Sequence, residues 1–459
     1  MRIAFALYGR VAGVIERDGG RLTLRYEREY RELHNSTPLS LSLPVSDTVA
    51  TKRPIEAYLR GLLPDRDEVR ARWALKAGVR PGDTLGLVAH VGLDVSGGAI
   101  FAPESEIHDA LTRPGTLEAA DDATIAARLR RFRQDEAAWQ DDEDEEPWSL
   151  AGAQSKFTLA RTEHGWAFPE GSAPSTHIVK PGIGRIPGQA LLEHLTMRAL
   201  AIAGLDVAET QHLTFEDQDA VVVTRFDRRT HAKGVARVHQ EDLLQAFALD
   251  PRRKYESDGG PGVKQVADLL RSVAAAPSLE GFVRAVIANQ VLGAPDAHGK
   301  NYGLLLIAKT VTLAPLYDVA TGLVPSDGGR LRWTRGAMSV GGERHFGDVE
   351  RPHWERLARA AGVPAARVLE WVAELAESLP AAFDTAVAES PAAEADEVAS
   401  RTAPLIAAVA RQTLAGLTST RRSSGRLTTP FVKTLEAPTL PVSAVGASVR
   451  EAPEEPWDS

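Results

Sequence analysis

Near residue 240 the chain changes its periodicity, and that change bounds the folds open to it. Before it, apolar residues fall in short runs at 3–8, 11–16 and 22–26, split by turns at Gly9 and Gly19-Gly20, and again at 156–161, 166–168, 177–180 and 220–225. Runs of that length bounded by turn residues predict strands. Helical spacing in this half is confined to 53–63, stopped by Pro64, to 189–201, and to 84–91, which is helical or simply buried. Beyond residue 240, helical spacing dominates over 263–274, 280–292, 352–360, 365–387 and 393–417, interrupted by one strand pair at 302–307 and 310–313. The expectation is an α+β chain, β-rich first and mostly α-helical afterwards.

A length of 459 residues allows about three domain-sized units. Composition divides them at 1–110, an acidic linker or flap at 111–147 ending in Asp141-Asp142-Glu143-Asp144-Glu145-Glu146, then 148–240 and 241–420. Like charges in such a run repel and keep it solvated. From 421 to 459 the chain is rich in Ser, Thr, Pro, Ala and Glu, with little to bury, which predicts a disordered tail.

The absence of cysteine removes disulfides, thiolate nucleophiles and Cys-based zinc sites together. A net charge of −9 argues against a chain that binds DNA by itself, because phosphate contacts need surplus Lys and Arg; DNA is expected only through a basic partner. The apolar stretches stop short of membrane-spanning length, and the first residues lack the apolar run of a secretory signal. The expected address is the cytoplasm, with no membrane partner.

Chemistry concentrates in a few places. Asp296-Ala297-His298-Gly299-Lys300-Asn301 puts an Asp five residues before an Asn, on a loop just ahead of a strand. Phosphoryl transfer needs a carboxylate to take the proton of the attacking hydroxyl and oxygen ligands to hold Mg²⁺ against the triphosphate, and this spacing supplies both. By itself the spacing is a weak signal, which more often means that Asp296 caps a turn after Pro295 and Asn301 starts the strand. The strand pair that follows ends at Leu316-Tyr317-Asp318-Val319, where Asp318 is placed either for a second Mg²⁺ ligand or for a plain turn. Upstream, Ser149-Leu150-Ala151-Gly152-Ala153-Gln154-Ser155-Lys156 has the small residues that let backbone N–H groups approach phosphate oxygens, without being a Walker loop. Lys180 ends an apolar strand, within reach of a nucleotide's phosphates or of solvent. Glu193, on the 189–201 helix, is either a partner for that lysine or an exposed charge.

At these residues the sequence resembles the HipA family of toxin kinases, over nearly the whole chain to about residue 420. Further motifs in the same order carry the resemblance: Leu41-Ser42-Leu43-Pro44, Gly61-Leu62-Leu63-Pro64-Asp65, Ala89-His90-Val91-Gly92-Leu93-Asp94, Arg225-Phe226-Asp227-Arg228, His239-Gln240-Glu241-Asp242 and Lys254-Tyr255-Glu256. It implies a two-lobed protein-kinase-like fold, related to the PI3/4 kinases, and transfer of the ATP γ-phosphoryl to serine or threonine with Mg²⁺. Carried over by residue, Asp296 would be the catalytic base, and Asn301 and Asp318 the metal ligands. Ala151, Gly152, Ala153, Gln154 and Ser155 would cover the nucleotide, Lys180 and Lys300 would contact it, and Arg225 and Phe226 would sit beside the adenine. Glu193 would pair with Lys180, and Ser149 aligns with the serine that family members autophosphorylate. Thr224 stands where the family often has Glu, and Ser155 where Glu is more usual. The resemblance further implies a small helix-turn-helix antitoxin of the HipB type, through which DNA is reached, and a protein substrate, for which the family's well-known example is an aminoacyl-tRNA synthetase. A catalytically silent antitoxin-binding co-repressor and a small-molecule kinase are the alternatives.

Overall fold

The structure is a computed structural model that describes residues 1–418 apart from 114, 140–147, 185, 233 and 326–330. The acidic run at 141–146 and the tail from 421 therefore lie outside the described residues.

The first hundred residues build a five-stranded antiparallel sheet in the order Ala50–Thr51, Arg21–Tyr26, Arg10–Asp18, Arg2–Leu7 and Ile100–Pro103. The strand Arg2–Leu7, between Arg10–Asp18 and Ile100–Pro103, is buried on both faces. Ile3, Phe5 and Leu7 enter the larger core with Tyr58, Leu59 and Trp73 of the helices Lys52–Gly61 and Asp67–Lys76, while Ala4 and Ala6 pack under Ile107. Double burial explains why this strand reads as a continuous apolar run.

A six-stranded antiparallel sheet follows, ordered Thr210–Phe215, Gln218–Thr224, His177–Pro181, Phe157–Thr162, Gly165–Glu170 and Thr116–Ala120. It separates the two main cores. Along Gln218–Thr224, Ala220 and Val222 face the core shared with the first hundred residues, and Val221 and Val223 face the core of the helical lobe. The period-two alternation of a strand thus ties one element to both halves of the molecule.

The stretch 111–147 needs correction as a linker. Thr116–Ala120 pairs with Gly165–Glu170, and the helix Asp122–Gln134, capped by the Asp121 carboxylate accepting from Thr124 N–H, buries Ile125, Ala126, Leu129 and Phe132 against the sheet. Its four Arg residues mask a narrow apolar stripe at helical spacing.

The helical lobe contains Val263–Val273, Ala276–Leu292, Arg351–Ala361, Ala365–Ala388 and Ala395–Leu417 around Phe282, Trp354, Trp371 and Phe383. Beside it lies a three-stranded sheet of His239–Asp242, Gly303–Ile307 and Thr310–Leu313. The Ala276–Leu292 helix ends at Gly293, at φ +61°, where an added Cβ would meet the Leu323 side chain at 2.5 Å. This left-handed stop aims the chain into the 294–301 loop. Among the described residues no helix is long and apolar enough to cross a membrane.

Candidate active site

Residues 149–156 lead into the strand Phe157–Thr162 and form one wall of a cleft between the six-stranded sheet and the helical lobe. Gly152 sits at φ +111°, and a Cβ there would lie 2.5 Å from Lys156 Nζ, so only glycine fits. Lys156 Nζ donates to Ala151 O at 2.8 Å, and Gln154 Nε2 to Pro181 O at 2.9 Å. Two hydroxyls of the segment are turned inward. Ser149, fully buried, donates to Leu62 O at 2.6 Å, and Ser155 donates to Glu136 O at 2.8 Å.

Lys180 projects from His177–Pro181 and forms ion pairs with Glu193 at 2.8 Å and with Asp318. Burial opposes its charge, but the two carboxylates hold its pKa above the usual lysine value. Against the cost of burial, the Lys180 and Lys156 ammonium groups hold Asp318 well below the usual carboxylate range. Asp318 adopts a left-handed backbone, φ +59°, a conformation that costs a non-glycine residue energy and clusters at functional sites.

On the 294–301 loop, Asn301 Nδ2 donates to the backbone oxygen of Asp296 at 2.7 Å, which orients the amide and leaves its Oδ1 as an acceptor. Tyr255 donates its phenol hydrogen to Asp296 Oδ1 at 2.6 Å. Burial pushes the Asp296 carboxyl up to about 7, against the pull of Lys254 and of the Tyr255 bond. His298 Nε2 lies 3.7 Å from Asp296 Oδ1. Lys300 is paired with Asp65 rather than free in the cleft.

Asp296, Asn301, Asp318, Lys180, Glu193, Lys300 and the 151–155 segment all line this one cleft. Phe226 is there too, tilted against the Tyr317 ring with centroids 5.4 Å apart. Arg225 also borders it, but its guanidinium is fully engaged elsewhere. Its five N–H groups meet Asp227 Oδ1 and Oδ2, Asp94 Oδ2, Ser175 Oγ and Val95 O at 2.8 to 3.4 Å. All five donors of the side chain are used, so Arg225 has no N–H left for a nucleotide.

Sequence reasoning passed over Lys156, Asp65 and Lys254, which line the cleft, and Tyr255, which touches Asp296. Lys156, inside the glycine-rich motif, has its pKa pushed down to about 8 by burial and forms no ion pair among the described residues, leaving a cation for an anionic ligand. Asp65, Lys254 and Tyr255 come from motifs quoted only for the resemblance. An approach to Asp296 across 41 positions, in the case of Tyr255, leaves no trace in local spacing.

Among the described residues no three His, Cys, Asp or Glu side chains gather as a self-sufficient metal site. That fits Mg²⁺ carried by a nucleotide, which binds through one or two protein oxygens and completes its shell with phosphates and water. Asn301 Oδ1 and the Asp318 carboxylate are of that chemistry.

The sequence model described as the HipA-like C-terminal domain matches residues 148–383, and that of the HipA N-terminal domain matches residues 3–101. The chain belongs to the HipA family. Among HipA relatives, the Y4mE protein of Sinorhizobium fredii, named as a kinase, is 33% identical over 375 residues, spanning 81% of this chain and 88% of that protein. The serine/threonine-protein kinase toxin HipA of Shewanella oneidensis is 29% identical over 317 residues, 65% of this chain and 69% of that one. A solved structure from Shewanella oneidensis MR-1, of the HipA, HipB and operator DNA complex, shares the fold with a TM-score of 0.74, at 24% identity, over 90% of this chain and 96% of that one. The HipA fold, kinase-like with a β-rich start and a helical end, is therefore present. Kinase activity, and with it nucleotide binding, is an attribute of the family.

Proposed function

We propose that this chain is an ATP- and Mg²⁺-dependent serine/threonine protein kinase acting as the toxin of a toxin–antitoxin pair in the cytoplasm. The observation that carries the reading is the gathering of Asp296, Asn301 and Asp318 with the Lys180–Glu193 pair around one cleft.

In this reading the acceptor hydroxyl approaches Asp296. Tyr255 occupies Oδ1, so Oδ2 is the oxygen that takes the proton. The new bond joins the hydroxyl oxygen to the γ-phosphorus, the bond from that phosphorus to the β–γ bridging oxygen breaks, and ADP leaves with the electron pair. A general base near neutral pKa suits this task. Lys180 would move from Asp318 to the phosphates, staying oriented by Glu193, and Lys156 would add a second cation. Asn301 and Asp318 would hold Mg²⁺, which neutralises phosphate charge as it builds up. Phe226 would offer its ring to the adenine.

Ser149 is the proposed autophosphorylation site. Its burial on Leu62 O means the 149–153 segment must leave its seat before the hydroxyl can meet Asp296. The antitoxin is proposed as a helix-turn-helix protein that brings the pair to operator DNA; the Shewanella structure holds HipA together with HipB and operator DNA. An aminoacyl-tRNA synthetase is the substrate to test first.

The test is purified chain with Mg²⁺ and ATP labelled at the γ-position, with and without that substrate. Label should enter protein, and Asp296→Asn should abolish it. Normal ATP binding with no transfer to any protein would falsify the kinase reading. Growth arrest on induction, relieved by co-expressing the antitoxin, tests the toxin role separately.

A further inference from the structure

Residues 62–66 belong to the link between the helices Lys52–Gly61 and Asp67–Lys76, yet they run alongside the glycine-rich segment. Pro64 and Gly152 form a parallel bridge, Asp65 N–H donates to Gly152 O at 2.9 Å, Arg66 Nε donates to Ala153 O at 2.7 Å, and Leu62 O accepts from Ser149. The Asp65 carboxylate then reaches across the cleft. It forms an ion pair with Lys300 of the 294–301 loop and lies 3.9 Å from Lys254 Nζ. One residue of the first hundred thus holds the glycine-rich segment by its backbone and the loop carrying Asp296 by its side chain.

We propose that Asp65 is a positioning residue for phosphoryl transfer, setting the spacing between the glycine-rich segment and the 294–301 loop and keeping Lys300 and Lys254 off the reacting oxygens. The proposal rests on the kinase reading above. Lys300 is only 6% exposed, so its ammonium must have an anionic partner inside the cleft. With Asp65 removed, the acceptors left in the cleft are carboxylates, Asp242 for Lys300 and Asp296 for Lys254, and the phosphates of a bound nucleotide. A lysine that turns to either lowers the energy of the bound ground state without favouring the transition state, and such binding slows turnover. Burial works against the charge of Asp65, but Lys300 and Lys254 keep it ionised, so the clamp persists at neutral pH.

Asp65→Asn is isosteric, preserves the backbone bond to Gly152 and changes only the charge. Label transfer from γ-labelled ATP into the chain is measured against ATP concentration in the presence of Mg²⁺, together with the melting temperature. The expected result is a rate at saturating ATP lowered at least about tenfold, with half-saturating ATP unchanged or lower. Asp65→Glu, which keeps the charge, should recover part of the rate. A wild-type rate in Asp65→Asn overturns the proposal, as does a loss accompanied by weaker ATP binding and a lower melting temperature, or a Glu variant no better than Asn. Asp296→Asn is run in parallel. If it still transfers label, the kinase reading itself is lost. If it is inert while Asp65→Asn is normal, only the role of Asp65 is.

Discussion

The hydroxyl of Ser149 donates to the carbonyl oxygen of Leu62 at 2.6 Å, in a position with no solvent exposure. There is no room beside it for a charged group without breaking the run of contacts that seats the glycine-rich segment. An unpaired buried carboxylate costs several kcal/mol, so Ser149→Asp should expel the segment and weaken ATP binding about tenfold or more. Ser149→Ala loses one hydrogen bond, about 1 kcal/mol, and should bind ATP nearly normally. Titration calorimetry distinguishes the two, and equal ATP affinity in both variants would contradict the account.

Lys180 is enclosed by two carboxylates, one of which, Glu193, is itself 2% exposed. Removing the cation leaves Glu193 buried with only the long 3.5 Å bond from Gln189 Nε2, and breaking such an ion pair typically costs about 3–5 kcal/mol. Lys180→Met should therefore lose both transfer and stability in urea unfolding. Asp318→Asn, whose side chain is 34% exposed, should lose transfer with a much smaller loss of stability. Comparable destabilisation in the two would mean that the enclosure is not what holds Lys180 in place.

Tyr255 fixes Asp296 by one oxygen. Tyr255→Phe keeps the ring that packs edge-on against His298, at 5.0 Å between centroids, and deletes only the hydrogen bond. The carboxylate is then free to rotate, and the transfer rate should fall about tenfold, a fraction of what a positioned base contributes. ATP binding should be unaffected. An undiminished rate would show that Asp296 needs no such anchor.

Glu241 is 1% exposed, accepts from Leu41 N–H at 2.8 Å through Oε1, and has no hydrogen-bond partner for Oε2 among the described residues. Burial pushes its pKa up to about 8. A folded-state pKa above the unfolded value means the folded chain holds the extra proton, so its contribution to stability is intact below the ordinary glutamate range and is lost as pH rises towards 8. Glu241→Gln removes that dependence. Its melting temperature should exceed that of the wild type at pH 8 by more than at pH 5, by a difference on the order of 2 kcal/mol in unfolding free energy. An equal difference at both pH values would rule this out.

The helical lobe was the most legible part of the chain, because stripes such as those of Val263–Val273 and Arg351–Ala361 repeat at one period over three turns. The helix Asp67–Lys76 and the strand Thr210–Phe215 were missed, the first because its apolar residues scarcely segregate to one face, the second because its strand pattern is broken by His212 and Thr214. At the candidate site, Lys180 and Glu193 are 13 positions apart and their pairing was anticipated, since a strand-end lysine and a helix glutamate have a known geometric relation. The tie between Asp65 and Lys300, across 235 positions, has no such local signature. Arg225 shows the opposite failure. Its placement near the cleft was anticipated, but nothing local to it announces that Asp94, 131 positions earlier, claims its guanidinium.

That claim has a consequence for how the chain can be divided. Asp94 arrives from one end of the molecule and Arg225, Asp227 and Arg228 from the segment after the second sheet, and together they bury several charges that neutralise one another only when joined. Cut between them, the front fragment would carry Asp94 into an oily interior with no cation opposite it, and the rear one would hold Arg225 and Arg228 against Asp227 alone. The front portion is accordingly no detachable appendage to a self-sufficient catalyst, and expression of residues 148–418 alone should give insoluble material.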